Sequence, residues 1–90
     1  MKLEDALDLC EDALDAVSQR RPEYVFNVYG EEQDRCWKIT AQYSKGSDIW
    51  SVAYQVCPDS SVELAKSYAE VAASSLEQAI TGNEPVPNAQ

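Results

Sequence analysis

The hydrophobic positions of the N-terminal stretch repeat with the spacing of an amphipathic helix. Larger apolar side chains recur every three or four residues, which places them on one side of a helix, and Ala6 and Ala13 widen that side. Arg20 and Arg21, followed by Pro22, predict the end of the helix, because cations favour its last turn and proline disfavours helix in the residue before it. The apolar stripe consists of Leu3, Leu7, Cys10, Leu14 and Val17.

Three segments of alternating apolar and polar residues come next and predict an antiparallel sheet. They span residues 23–29, 35–43 and 49–56, and the turn sequences GEEQD and SKGSD separate them. Alternation assigns apolar side chains to one face of the sheet and polar side chains to the other. The predicted apolar face comprises Tyr24, Phe26, Val28, Trp37, Ile39, Tyr43, Trp50, Val52, Tyr54 and Val56. The predicted polar face comprises Asn27, Lys38, Thr40, Gln42, Ser51 and Gln55.

A second helix is predicted from about residue 60 to residue 81. Pro58 and the capping-box sequence from Ser60 to Glu63 indicate where it begins, and Gly82 indicates where it ends. The predicted buried face of this helix is Leu64, Tyr68, Val71, Ala72, Leu76 and Ala79.

These elements predict an α+β fold in the order α-β-β-β-α, a three-stranded antiparallel meander with both helices packed on one face. A chain of 90 residues has room for one domain, which we expect to cover residues 1–82. Residues 83–90 are polar and interrupted by proline, so we expect a disordered C-terminal tail there.

The charge balance is strongly acidic. Sixteen acids against seven bases give a formal net charge of −9. Such a chain is repelled by nucleic acid and by anionic membranes, so we expect neither direct nucleic-acid binding nor membrane binding. No apolar run approaches the ~20 residues that a membrane-spanning helix requires. The partner that this charge favours is a basic protein surface.

The residues that usually carry catalysis or metal binding are scarce. The chain has no histidine, no glycine-rich phosphate loop and no paired-cysteine motif, so we expect no enzymatic activity, no cofactor and no metal. Its odd number of widely spaced cysteines, Cys10, Cys36 and Cys57, predicts buried free thiols. The N-terminus lacks the basic start and apolar stretch of a secretory signal, which predicts a cytoplasmic location.

The first helix concentrates its acids on the side opposite its apolar stripe. At about 100° per residue, six carboxylates fall within an arc of roughly 120°. Six like-charge pairs at i,i+3 and i,i+4 spacing destabilise the helix by about 1 to 3 kcal/mol in total. Interspersed lysines would give solubility without that cost, so a binding partner is the better explanation. The six residues are Glu4, Asp5, Asp8, Glu11, Asp12 and Asp15.

The spacing of these charges approximates a phosphate backbone. The stretch from Glu4 to Asp15 spans about 16 Å of helix axis, which gives about one charge per 3 Å, near the single-strand nucleic-acid value of one per ~3.4 Å. Glu31 and Glu32, in the first predicted turn, extend this surface if the turn lies near the helix. The column Glu63, Glu70 and Glu77 on the second helix is better explained as an ordinary solvated helix back.

The element order and the alanine-rich stretch ELAKSYAEVAASSL resemble the double-stranded RNA-binding domain. That family binds phosphates through lysines at the start of its second helix and a Gly-Pro-x-His loop between its first two strands. The corresponding stretches here are DSSVELAK, with Lys66 as the only base, and the acidic GEEQD. The resemblance therefore implies the scaffold and not the RNA-binding function.

Size, charge and the patterned sequence LEDALDLCEDALDAV resemble, as a class, small acidic phage-type inhibitors such as anti-CRISPR proteins and other DNA mimics. That resemblance implies a cytoplasmic inhibitor, in the host cell for a phage or mobile-element protein, that occupies the nucleic-acid-binding surface of a target. The expected contacts are centred on Asp8, Glu11, Asp12 and Asp15. The alternative is a protein-protein adaptor or an immunity or antitoxin-type module that binds through the open sheet face or edge. The sequence leaves open whether the protein is a monomer or a dimer.

Overall fold

The chain folds as two helices and three strands in the predicted order. The structure is a computed structural model, and it describes residues 1–83. The elements are α1 (Leu3–Arg20), β1 (Val25–Gln33), β2 (Cys36–Lys45), β3 (Asp48–Val56) and α2 (Val62–Asn83). The predicted tail therefore lies outside the described residues, except for Asn83, which is the last residue of α2.

The sheet is an antiparallel meander with strand order β1-β2-β3. Its register confirms the predicted apolar face, because Phe26, Tyr43 and Trp50 lie opposite one another on the three strands. The Phe26 and Tyr43 rings meet edge to face, with centroids 6.4 Å apart. Both strand pairs run without a bulge, so alternation holds from end to end.

Two-residue turns connect the strands. Asp34 and Arg35 have φ of 52° and 67°, the pattern of a type I′ hairpin turn. Gly46, with φ of 60°, begins the second turn and supplies the conformation that type II′ requires at that position. The sequence-based placement of the first turn was wrong, because Glu31 and Glu32 belong to β1. Asp34 and Arg35 lack the glycine that usually marks such a turn, which is why its position was not predicted.

Helix α1 packs its apolar stripe onto the sheet as predicted, burying Ala6, Cys10, Leu14 and Val17. Gly30 of β1 lies under its first turns. A Cβ added at Gly30 would lie 2.9 Å from the Leu3 Cδ1 atom and 3.3 Å from the Leu7 Cδ2 atom. The glycine thus permits the close approach of helix and strand. The C-cap residue Arg21 and then Pro22 follow the last turn, as the sequence predicts.

Helix α2 differs from its prediction in both its cap and its buried face. The Ser61 hydroxyl, and not that of Ser60, accepts a hydrogen bond from the Leu64 N–H at 3.1 Å. Tyr68 and Val71 are exposed together with Leu64, although all three were predicted to be buried. Alanine has no side chain beyond Cβ, so an alanine-rich face lets α2 approach its neighbours closely. The buried face is Ala65, Ala69, Ala72, Ala73, Leu76 and Ile80.

The prediction of three free thiols was also wrong, because Cys36 and Cys57 form a disulfide. The register places Trp37 opposite Val56. Cys36, at the start of β2, therefore faces Cys57, just beyond β3, and their Cα atoms are 4.2 Å apart. Their separation of 21 residues in the sequence gives no hint of this proximity, because it follows from strand register. Cys10 is free and buried, as predicted.

The two helices lie side by side on one face of the sheet and run in the same direction. The N-terminal amine of Met1 donates to the Pro58 carbonyl ahead of α2, at 2.8 Å, and the Arg21 guanidinium donates to Thr81 Oγ1 near the end of α2, at 3.0 Å. Helix α1 contacts β1 and α2 contacts β3, which divides the apolar face between them. No helix within residues 1–83 is long and apolar enough to cross a membrane.

Candidate functional site

Six acids lie on one side of α1, and we call this surface the acidic face. The helix is continuous from Leu3 to Arg20, so the predicted arc of carboxylates forms as expected. Burial of the opposite stripe fixes the rotation of the helix and turns the acids toward solvent. All six residues are exposed: Glu4, Asp5, Asp8, Glu11, Asp12 and Asp15.

The protein's own cations do not neutralise this face. Within residues 1–83, no lysine or arginine forms an ion pair with any of the six carboxylates. Asp5 has a structural role, because its Oδ2 atom accepts a hydrogen bond from the Lys2 backbone N–H at 3.2 Å. That bond satisfies one of the unpaired donors at the start of the helix, where a negative charge is also favoured by the helix dipole. Glu4 shares the favourable first-turn position, and Asp8, Glu11, Asp12 and Asp15 lie beyond it.

The acidic face borders a groove of about 390 Å³ between α1 and β1. Glu11, Asp12 and Asp15 line one wall, and the strand segment from Phe26 to Val28 lines the other. Strand β1 is at the edge of the sheet, so this wall includes backbone without a neighbouring strand. A cationic side chain placed here would meet several carboxylates at once.

The structure separates the two glutamates at the end of β1. Glu31 lies on the open face of the sheet, where its Oε1 atom is 3.9 Å from Lys38 Nζ on the neighbouring strand. Glu32 follows Gly30 by two residues, so it lies on the helix-bearing face, beyond the first turn of α1. Glu32 is therefore better placed than Glu31 to extend the acidic face.

Two of the three glutamates in the α2 column face α1. Glu70 and Glu77 line a groove of about 670 Å³ between the helices, together with Lys66 and Arg20. Arg20 and Glu77 form an ion pair, and this contact lowers the pKa of the Glu77 carboxyl. The second groove thus has mixed charge, and Glu77 makes an internal contact.

Cys10 and Tyr54 are two ionisable side chains in the core. Burial raises the pKa of the Cys10 thiol and of the Tyr54 phenol beside it, so both remain neutral at physiological pH. Within residues 1–83, no group forms a well-oriented hydrogen bond with the Tyr54 hydroxyl. The same range contains no cluster of three or more histidine, cysteine, aspartate or glutamate side chains that could hold a metal ion.

Two exposed apolar surfaces were not recognised in the sequence. Leu64, Tyr68 and Val71 form a stripe along the outer side of α2, and the i, i+4, i+7 spacing that led to the prediction of a buried face also describes an exposed one. The open face of the sheet presents Val25 and Ile49 as well as Tyr29. The sequence contained a signal for the second surface, because these three residues alternate along their strands with residues of the predicted apolar face.

Comparison of the chain with protein families, with curated proteins and with solved structures found no match.

Proposed function

We propose that this protein is a non-enzymatic acidic inhibitor that acts as a nucleic-acid mimic in the manner of anti-CRISPR proteins. Its acidic face occupies the positively charged nucleic-acid-binding surface of a target protein. Asp8, Glu11, Asp12 and Asp15 are the central contacts, with Glu4 and Asp5 flanking them. The observation that carries the proposal is the exposure of all six carboxylates on one side of α1 without an internal cation.

The carboxylates of the acidic face repel one another along α1. Like charges at i,i+3 and i,i+4 positions each destabilise a helix by about 0.2 to 0.5 kcal/mol. Asp12 and Asp15 add to this because they approach the negative C-terminal end of the helix dipole. Arginines on a target relieve both effects, since guanidinium groups bind carboxylates and phosphates in the same bidentate geometry. A groove that evolved for phosphates therefore suits this helix.

The proposed site of action is the cytoplasm. Disulfides are rare there and typical of oxidising compartments, so cytoplasmic action requires Cys36 and Cys57 to exist as thiols in the cell. Rapid acid quenching followed by alkylation and mass spectrometry would establish their state in producing cells. If the disulfide is intact there, the proposed compartment is wrong, while the acidic-face proposal is unaffected.

The main test is affinity capture from a bacterial lysate with the full chain immobilised, at low and high salt and with added DNA as competitor. We expect captured proteins that bind nucleic acid, that are released steeply as salt rises and that DNA displaces, because phosphate-binding contacts have this salt dependence. The variant with Asp8, Glu11, Asp12 and Asp15 all changed to lysine should capture none of them.

A matched variant separates the acidic face from bulk charge. Changing Glu23, Asp48, Asp59 and Glu63 to lysine produces the same change in net charge at exposed positions outside α1. This variant should retain most of the binding at physiological salt. If the two variants bind alike, the acidic face is not the contact surface.

A second candidate function is that of an adaptor or of an immunity or antitoxin-type module that binds through the open sheet face. The exposure of Val25 at 59% and Ile49 at 65% on that face favours it. Apolar contacts of this kind depend little on salt. Binding that persists at high salt and is lost in Tyr29→Lys and Ile49→Lys would favour this function over the first.

A further inference from the structure

The edge of the sheet opposite α1 combines an unprotected strand with an exposed apolar helix stripe. Strand β3 pairs only with β2, so its outer edge has no partner strand within residues 1–83. Above it, the outer side of α2 exposes Leu64 at 43%, Tyr68 at 41% and Val71 at 64%. The Tyr68 ring joins the two parts, since its centroid lies 6.0 Å from that of Tyr54 on β3. We call this surface the β3–α2 edge.

Apart from the charged Asp48 at its start, strand β3 lacks the features that usually prevent edge strands from pairing. From Ile49 to Val56 it contains no charged residue and no proline, and its register with β2 has no bulge. Edge strands that remain single usually carry lysine, proline or a bulge. Strand β1, at the other edge, carries Glu31 and Glu32 near its end and lies beside the acidic face. Of the two edge strands within residues 1–83, β3 is therefore the better suited to pair with a further strand.

From these observations we infer that the β3–α2 edge is the interface of a homodimer, in which β3 pairs antiparallel with β3 of a second copy. The two sheets become one six-stranded sheet, and the two α2 stripes pack against each other across the two-fold axis. Such an isologous contact uses the same surface on both copies. It is independent of the proposed function, because the acidic face of each copy remains free at the far edge.

Charge makes this edge the least repulsive part of the described surface for contact between two copies. Two chains of formal net charge −9 repel each other over most of their surface. The β3–α2 edge is the exception, because the exposed α2 stripe and the strand from Ile49 onward are uncharged, while Glu70 and Glu77 point away toward α1. Two copies therefore meet there with the least electrostatic cost.

The available area also suits a dimer. Nine residues of β3 extend about 30 Å, and a sheet layer plus a helix layer is roughly 20 Å high. Each copy thus contributes on the order of 600 Å², or about 1,200 Å² for the pair, which reaches the lower limit of stable interfaces. Half-exposed Trp50, at the start of β3, adds an aromatic side chain of the kind enriched in such contacts.

Sedimentation equilibrium of the full chain from micromolar to several hundred micromolar tests the inference. We expect the mass of two chains at the upper concentrations. Val71→Lys should raise the dimer dissociation constant at least about 30-fold, the effect of losing one hot-spot residue. Ser74→Lys, an equal charge change at an exposed α2 position facing the groove with α1, should leave the constant within about threefold of wild type.

A strand variant and a folding control complete the test. Ala53→Lys places a charge on β3 and should weaken the dimer as Val71→Lys does, with circular dichroism showing an unchanged helix content in both. A wild-type chain that remains a monomer at several hundred micromolar would overturn the inference. Equal association of Val71→Lys and Ser74→Lys would also overturn it. The acidic-face lysine variant should still dimerise, which keeps this result separate from the proposed inhibitory function.

Discussion

Arg20 at the end of α1 and Glu77 in α2 form a bidentate ion pair that joins the two helices. The Arg20 Nε atom donates to Glu77 Oε2 at 2.8 Å, and Nη2 donates to Oε1 at 2.7 Å. Two parallel hydrogen bonds fix the relative position of the helices more closely than a single contact would. The same carboxylate lies 3.9 Å from the Arg21 Nε atom, so two cations adjoin one acid.

This pair predicts a pH-dependent contribution to stability. Hydrogen bonding to Arg20 lowers the pKa of Glu77 in the folded chain, so the contribution is present above the ordinary glutamate pKa and is lost as pH falls through the folded value. Glu77→Gln should therefore be less stable than wild type at neutral pH, with the difference shrinking in acid. Urea denaturation from pH 7 down to pH 3 measures it. For Glu70→Gln, on the same helix, the difference in unfolding free energy from wild type should stay constant over this pH range. If that difference also shrank in acid, the pH dependence could not be assigned to Glu77.

The acidic face predicts that some charge changes will stabilise the fold. Asp12→Lys replaces two like-charge contacts, to Asp8 and Asp15, with attractive ones and should raise the unfolding free energy by about 0.5 to 1.5 kcal/mol at low salt. Asp5→Lys should have the opposite effect, because it removes the carboxylate bonded to the Lys2 N–H. Denaturation at low and high salt compares the two. A destabilised Asp12→Lys variant would show that this face makes contacts within the protein.

The Cys36–Cys57 disulfide predicts sensitivity to reductant. It closes a loop with a sequence separation of 21, and reduction should lower the unfolding free energy by about 2 to 4 kcal/mol. Thermal or urea denaturation with and without dithiothreitol measures the loss. In the variant with both cysteines changed to alanine, dithiothreitol should have no effect. The disulfide assignment would be refuted by a wild-type curve that reductant leaves unmoved.

The first hairpin turn predicts a stabilising substitution. Arg35 has φ of 67° without being glycine, a conformation that costs an L residue about 1 kcal/mol. Arg35→Gly should therefore raise the unfolding free energy by roughly 0.5 to 1 kcal/mol. Ser47→Gly in the second turn serves as the control, because Ser47 has no positive φ and should gain nothing. The type I′ geometry would be disproved by a loss of stability in Arg35→Gly.

The sequence alone determined the element order, the strand faces and the acidic face. These features depend on local periodicity, since alternation fixes which residues share a strand face and the helical repeat fixes which residues share a helix side. That is why the arc from Glu4 to Asp15 and the buried position of Cys10 were predicted correctly. Neither feature depends on contacts with residues that are distant in the sequence.

Only the tertiary structure decided which side of α2 is buried, which cysteines meet and which acids stay unpaired. Leu64, Tyr68 and Val71 have the periodicity of a core face, but the alanine face of α2 packs more closely and leaves them at the edge of β3. The register of two hairpins brings Cys36 to Cys57. These outcomes depend on the fit between elements distant in the sequence, and no local pattern encodes that fit.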